Sequence, residues 1–158
     1  AVGGDANCDG VISTTADEFL EFVNTGSTAI DLTGAIVADA LSDQFTFGAL
    51  LLAPGDSVLL FSGGTPVFDG SGADPWCAAL PAQVHVLVAG GLSLNNGGDT
   101  ITVRDAGGTV LVDVTYGAEG GFDTSLVRSP ELSGPFEQHD TVSAAAFSPG
   151  RRADGSAL

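Results

Sequence analysis

The sequence predicts an all-β protein built as an antiparallel β-sandwich, with residues 1–158 forming a single domain. Three observations lead to this prediction. Helical periodicity is nearly absent, short apolar or alternating runs recur along the chain, and clusters of Gly, Pro, Asn and Asp separate these runs. Turn signals every roughly 8 to 15 residues are typical of sandwich folds. With 44% apolar residues, a chain of this length can bury a substantial core.

Each predicted strand is a short run of apolar or alternating residues. In the first run, Phe19, Glu21 and Val23 would share one face, and Leu20 and Phe22 the other, because side chains alternate along a strand. The predicted runs are, in chain order, 18–24, 29–39, 44–48, 56–64, 82–90, 99–105, 109–117 and 124–130.

Turn chemistry supports these boundaries. The turn sequences "NTGS" and "APGD" precede the second and fourth runs. The clearest hairpin joins 99–105 to 109–117 through "AGG", since glycines accept the backbone angles that tight turns require.

Three regions lack strand periodicity: an N-terminal segment over 1–18, a connection over 62–81 and a C-terminal segment over 131–158. The connection is long for a compact domain, and such loops are usually functional or partly helical. The C-terminal segment is expected to run over the surface, with Phe136 and Phe147 as anchors.

The charge balance excludes two classes of partner. Twenty acidic residues against four arginines, with no lysine, give a net charge of −16. Such a surface repels nucleic-acid backbones and anionic lipid, and no apolar run approaches the length of a membrane span. The acidity either reflects composition and solubility or serves to attract cations.

The stretch "GDANCDG" predicts a calcium-binding loop. Asp5, Asn7 and Asp9 alternate, and Gly10 follows at once, as in the first half of the D-x-[DN]-x-[DN]-G pattern. Ala16 stands where the pattern places its last acid. Side-chain oxygens at alternate positions on a sharply turning loop suit calcium.

The remaining predicted calcium ligands follow the loop. The Val11 carbonyl would be the fourth ligand, and Asp17, or Glu18 in its place, would close the site. The alternative is a turn in which Asp and Asn side chains accept hydrogen bonds from their own backbone. In either case the expected role is to pin the loop to the sheet.

The two cysteines, Cys8 and Cys77, allow two interpretations. A disulfide between them would close a long loop and indicate an oxidising compartment. The alternative is a pair of free buried thiols. With only His85 and His139 as further ligands, a zinc site is not expected.

Several segments together resemble bacterial lamin-tail domains. The resemblance rests on "GDANCDG" and "DEFLEFVN", then "LSLNNGGDTITVRDAGGTVLVDVTYG", "SLVRSP" and "SPGRRADGS", in that order. It implies an immunoglobulin-like sandwich of lamin-tail type in a secreted or cell-surface protein of a bacterium or archaeon. It also implies a binding or anchoring role without catalysis.

The sequence departs from the family pattern in two places. Family members usually begin with a strand before the calcium-like loop, whereas this sequence begins at the loop. Either the polypeptide was trimmed, or a neighbouring chain fills the gap by strand addition, which would include self-association between copies. Cys8 stands where the family usually has glycine, and this favours the bridge to Cys77.

The expected function is that of an extracellular module that binds or anchors a protein or carbohydrate, with structural calcium. One alternative is a carbohydrate-binding module that uses Trp76 and neighbouring Asp or Asn; Trp76 would otherwise pack over the disulfide. Another alternative, from a different class, is a calcium-dependent hydrolase. A serine hydrolase is not indicated, because the sequence has no G-x-S-x-G motif. Arg151 and Arg152 either bind a carboxylate or pair with acids of the chain.

Overall fold

The protein is described by a computed structural model that covers residues 4–72 and 74–158. Residues 1–3 of the predicted N-terminal segment and Ala73 of the long connection lie outside the described residues. The strands are β1 (Phe19–Val23), β2 (Ile30–Asp31), β3 (Ile36–Ala38), β4 (Asp43–Thr46), β5 (Leu51–Leu52), β6 (Ser57–Phe61), β7 (Val84–Val88), β8 (Asp99–Arg104), β9 (Val110–Tyr116), β10 (Leu126–Arg128) and β11 (Phe136–Gln138).

Helical structure is confined to short pieces in the described ranges. They are the 3₁₀ turns Pro75–Cys77 and Ala118–Gly121 and the single-turn helix α1 (His139–Val142). Within residues 4–72 and 74–158, no helix has the length and apolarity needed to cross a membrane. The all-β prediction is therefore confirmed.

The strands form two main sheets. One has the order β1-β6-β7 and the other β4-β3-β8-β9, while β2–β5 and β10–β11 form separate short pairs. The predicted hairpin is confirmed as β8 and β9, which pair antiparallel.

One pair of neighbouring strands, β6 and β7, is parallel, whereas every other pair is antiparallel. Parallel neighbours need a long crossover connection. The segment between β6 and β7, which contains the predicted connection 62–81, supplies it.

Some predicted strands differ in detail. The run 29–39 is split into β2 and β3, because the chain turns at Gly34, where φ is +74°. Strands β5 and β11 lie outside every predicted run. Both are two or three residues long, too short for an alternating pattern to reveal.

The main core lies between the two large sheets. It includes Leu20 and Phe22 of β1, which pack against it from one sheet. Val37 and Ile101 contribute from the other sheet. The predicted alternation of β1 is thus confirmed for the two side chains that face the interior.

A second apolar cluster covers the outer face of the β1-β6-β7 sheet. Leu59 and Phe61 of β6 form its sheet side, with Phe19 packed against them. The covering residues come from all three regions that lack strand periodicity: Ala6 from the first, Phe68, Trp76 and Leu80 from the second, and Ala146 and Phe147 from the third. These regions therefore act together as a third layer.

Candidate functional site

Strand β1 has an unpaired edge. It lies at the end of its sheet and pairs only with β6 among the described strands. Ser62 N–H donates to the Glu18 carbonyl at 2.8 Å, and Asn24 N–H donates to the Asp56 carbonyl at 2.9 Å. Since hydrogen-bonded positions alternate in an antiparallel pair, the even-numbered residues of β1 face β6.

The backbone N–H and C=O groups of Phe19, Glu21 and Val23 consequently point away from β6. They form a row of donors and acceptors with the spacing that an additional strand requires. No strand in the described part of the chain occupies that position.

A groove of about 540 Å³ runs along this edge. All five residues of β1 line it, together with residues of β9 and all three residues of β10. We call this space the β1 groove. Its apolar wall comprises Leu20, Phe22, Val112, Val114, Tyr116, Leu126, Val127 and Phe136. An apolar groove beside an unpaired strand is suited to an extended peptide.

Glu21 lines the β1 groove from the middle of the strand. Its side chain lies on the sheet face that the C-terminal segment covers, and Gly150 N–H donates to its Oε2 at 3.3 Å. The residue as a whole is half-buried, but its Oε1 atom is shut off from solvent and has no hydrogen-bond partner in the described chain.

The burial of this carboxyl group alters its acidity. Desolvation raises the pKa of Glu21 from 4.5 to about 8, against the opposing effect of the Gly150 hydrogen bond. At neutral pH the group is therefore mostly protonated. Ser57 Oγ and Arg151 Nε are also buried and make no hydrogen bond of normal geometry among residues 4–72 and 74–158, although the Ser57 side chain lies close enough to lower the pKa of Glu21.

Acidic side chains outnumber arginines around the β1 groove. The acidic lining residues are Asp17, Glu18, Glu21, Asp123 and Glu131, and the arginines are Arg128 and Arg151. Burial also raises the pKa of Glu18. The pKa of Tyr116 is raised to about 12, chiefly by burial and then by the nearby charges of Asp99 and Glu18.

Both arginines of the β1 groove donate hydrogen bonds to backbone carbonyls of the protein. Arg128 donates to the Gly134 carbonyl at 2.8 Å and lies 4.3 Å from the centre of the Phe136 ring. Arg151 Nη2 donates to the carbonyls of Ala78 and Ala79 at 3.0 and 2.9 Å. Arg152 forms an ion pair with Glu131 at 3.0 Å. Of the two alternatives predicted for it, pairing with an acid of the chain is therefore the one observed.

The predicted calcium loop is a tightly hydrogen-bonded turn. Asp5 Oδ1 and Asn7 Oδ1 both accept from Asp9 N–H, at 3.1 and 3.0 Å. Asp5 Oδ2 accepts from Gly10 N–H at 2.7 Å, and Asp9 Oδ1 accepts from Val11 N–H at 2.9 Å. Two of the three predicted side-chain ligands, Asp5 and Asn7, therefore direct an oxygen to the same backbone amide, that of Asp9.

The predicted closing residues, Asp17 and Glu18, do not accept from the Asp9 amide. Asp17 is fully buried, and its two oxygens accept from Asn7 N–H at 3.1 Å and Ser13 N–H at 2.7 Å. Glu18 lines the β1 groove. In residues 4–72 and 74–158, no three His, Cys, Asp or Glu side chains are grouped so that they could share a metal ion. A calcium ion would have to rely on Asn7 and on carbonyl oxygens as well.

The loop is fastened to the long connection. Cys8 and Cys77 form a disulfide, and Trp76 Nε1–H donates to the Asp5 carbonyl at 3.2 Å. The half-buried indole packs edge-on against Phe147, with ring centroids 4.7 Å apart. Cys8 has φ +60°, a left-handed conformation that favours glycine.

Sequence reasoning identified the loop, the disulfide partners and Trp76, but it did not single out Glu21. One signal was available: Glu21 alternates with Phe19 and Val23 on one face of β1. An acid between two apolar residues of one strand face is a candidate for burial. Which segment covers that face could not be read from the strand itself.

Comparison with known proteins gives one match. A family model described as Lamin Tail Domain matches residues 3–118, well over half of the chain. No curated protein matches the chain significantly.

Proposed function

The chain belongs to the lamin tail domain family, and we propose that it is a non-catalytic module that binds an extended segment of a partner protein along β1. The family is one of immunoglobulin-like binding or structural domains without enzymatic activity. The proposal adds a specific binding site and a mode of binding to that role.

The unpaired edge of β1 is the observation that carries the proposal. Three residues of this strand, Phe19, Glu21 and Val23, offer outward N–H and C=O groups beside an apolar groove. Main-chain hydrogen bonds to such an edge supply affinity, and the groove walls supply selectivity for side chains. Exposed edges are usually covered or blocked, because they otherwise recruit other strands.

We place this module outside the cell, on a secreted or surface protein of a bacterium or archaeon. The Cys8–Cys77 disulfide supports this location, since such bonds persist in oxidising compartments.

We also propose that the N-terminal loop binds one structural calcium ion. Asp5, Asn7 and Asp9 would hold it through side-chain oxygens and Val11 through its carbonyl, with Asp17 as the closing acid. The spacing of these residues and the convergence of two of their oxygens on one amide support the proposal. Calcium there would stabilise the loop and take no part in chemistry.

A carbohydrate-binding role has no observation in its favour. Trp76, the residue on which it depended, uses its N–H on Asp5 and packs its ring against Phe147. The indole thus belongs to the third layer, which covers the outer face of the β1-β6-β7 sheet.

Strand addition is tested by selecting peptides from a random phage-displayed library on the folded protein. Synthetic copies of the selected peptides are then titrated against the wild type and Val23→Pro. Proline removes an outward N–H and obstructs the edge, but it removes no hydrogen bond to β6. We expect affinity to fall roughly tenfold, from the lost hydrogen bond and the obstructed approach.

The matched control is Val23→Ala, which shortens the side chain but keeps the N–H. Because Val23 lines the groove, this variant should lose some affinity, but much less than Val23→Pro, and melting curves should show that both variants are folded. Equal affinity in the wild type and Val23→Pro would contradict the proposal, as would a failure to select any peptide.

A further inference from the structure

We infer that the partner segment carries a lysine or arginine side chain, which lies beside Glu21 when the segment is added to β1. This inference rests on the proposed strand addition and names the chemistry of the partner. It assigns to Glu21 the role of the groove's specificity-determining residue.

The first support is the incomplete hydrogen bonding of Glu21. Oε2 has Gly150 N–H as a partner, and the neighbouring Ser57 hydroxyl also lowers the pKa of the carboxyl group, but no hydrogen bond of normal geometry reaches the buried Oε1 in the described chain. A buried oxygen without a partner has lost its hydrogen bonds to water and gained none in return, so structures seldom leave one without a reason. A charge-assisted hydrogen bond from an ammonium or guanidinium group would complete this carboxylate.

The second support is the position of Glu21 in β1. It is the central residue of the strand and one of those whose backbone groups face outward. A strand added at this edge would place one residue directly beside it, with its side chain on the same sheet face and Cβ atoms about 5 Å apart. A long basic side chain at that position reaches the carboxylate.

The third support is the charge of the surroundings. Glu18 and Asp123 also line the groove, Glu131 there is paired with Arg152, and the whole chain carries −16. Such a field attracts basic segments and repels acidic ones. An acidic partner would have to compete for arginines whose Nη groups already donate to carbonyls of the protein, Arg128 to Gly134 and Arg151 to Ala78 and Ala79.

The test uses four pools of nine-residue peptides, acetylated and amidated at their ends. The central residue is Lys, Arg, norleucine or Glu, and the other positions are random uncharged residues. Each pool is equilibrated with wild-type protein and with Glu21→Gln, and the affinities of the best binders are then measured by calorimetry.

We expect the Lys and Arg pools to yield peptides that bind the wild type roughly tenfold more tightly than the norleucine pool. Glu21→Gln should abolish this preference. Glu137→Gln, which removes an exposed acid of β11 outside the groove lining, should preserve it.

A preference for norleucine or Glu would overturn the inference, as would a preference for basic residues that survives in Glu21→Gln. In either case, binding that remains sensitive to Val23→Pro leaves strand addition intact. Failure of all four pools to bind would overturn the inference and the proposed function together.

Discussion

At the scale of single residues, Glu21 differs from the other acids of the chain in its surroundings. Asp105, at an exposed turn, accepts hydrogen bonds from the backbone amides of Thr109 and Gly107, and these bonds lower its pKa. Glu21 is enclosed beneath the C-terminal segment with a single amide donor, and its pKa rises instead. A side-chain carboxyl group is therefore ionised in one setting and mostly protonated in the other.

This difference predicts how Glu21 affects stability as pH changes. Between pH 4.5 and about 8 the folded protein keeps a proton on Glu21 that the unfolded chain releases, so the contribution of Glu21 to stability falls as pH rises and levels off above pH 8. Glu21→Gln keeps an acceptor for Gly150 N–H but has no charge. We expect the variant to match the wild type near pH 4 and to exceed it by about 3 kcal/mol at pH 7.

Urea titrations of the two proteins at a series of pH values measure this difference. Glu137→Gln is the control, because that acid is exposed and its difference from the wild type should stay flat. If the free energies of unfolding of Glu21→Gln and the wild type change with pH in parallel, the carboxyl group is not buried as described.

At the scale of elements, the strands and turns that could be predicted are those whose structure is determined by the local pattern of residues. The β8–β9 hairpin combines two alternating runs with a glycine turn, and its pairing follows from chain proximity. The disulfide became predictable from the resemblance and from the positions of Cys8 and Cys77 in loops.

The less predictable parts depend on contacts between distant segments. The apolar runs of β6 and β7 indicate two strands but not their parallel pairing, because direction depends on the path of the chain between them. The burial of Glu21 likewise depends on Gly150, which is 129 residues away in sequence. The β1 groove arises from β1, β9 and β10 together, so no single segment could reveal it.

The N-terminal loop carries a prediction at this scale. If calcium binds with a dissociation constant near 10⁻⁴ M, then 5 mM calcium should stabilise the folded protein by about 2 kcal/mol, raising Tm by roughly 5–8 °C relative to excess EGTA. Asp9→Asn should lose most of this rise, because it removes a charged ligand. Thermal melts of both proteins in the two buffers provide the measurement.

Asp31→Asn is a matched control for the calcium experiment. Like Asp9, Asp31 accepts a hydrogen bond from the amide two residues later, but it lies in β2, away from the loop. It should keep the full rise. Equal rises in both variants would indicate general screening of an acidic chain, and no rise in the wild type would leave the loop as a hydrogen-bonded turn.

At the scale of the whole molecule, the net charge of −16 bears on whether copies of the chain pair with each other. Arg104 and Arg152 already form ion pairs with Asp43 and Glu131 within the protein. Two copies that joined their β1 edges would also bring their Glu18 and Glu21 side chains together. Strand-mediated self-association is thus favoured by the open edge and opposed by charge.

These opposing effects predict a self-association that strengthens with salt. At low ionic strength we expect a monomer, since repulsion between the acidic copies is poorly screened. As salt is raised toward 1 M, a dimer should become detectable at high protein concentration in the wild type. Val23→Pro should remain monomeric under the same conditions, because its edge is obstructed.

Sedimentation velocity over a range of salt and protein concentrations separates the possible outcomes. A dimer that salt dissociates would contradict the edge as its interface, because ion pairs would then be holding the copies together. A salt-promoted dimer that Val23→Pro retains would place the contact on another apolar surface. A dimer that grows with salt and disappears in Val23→Pro would show that the β1 edge accepts a strand, and that charge normally keeps it free for a partner other than a second copy.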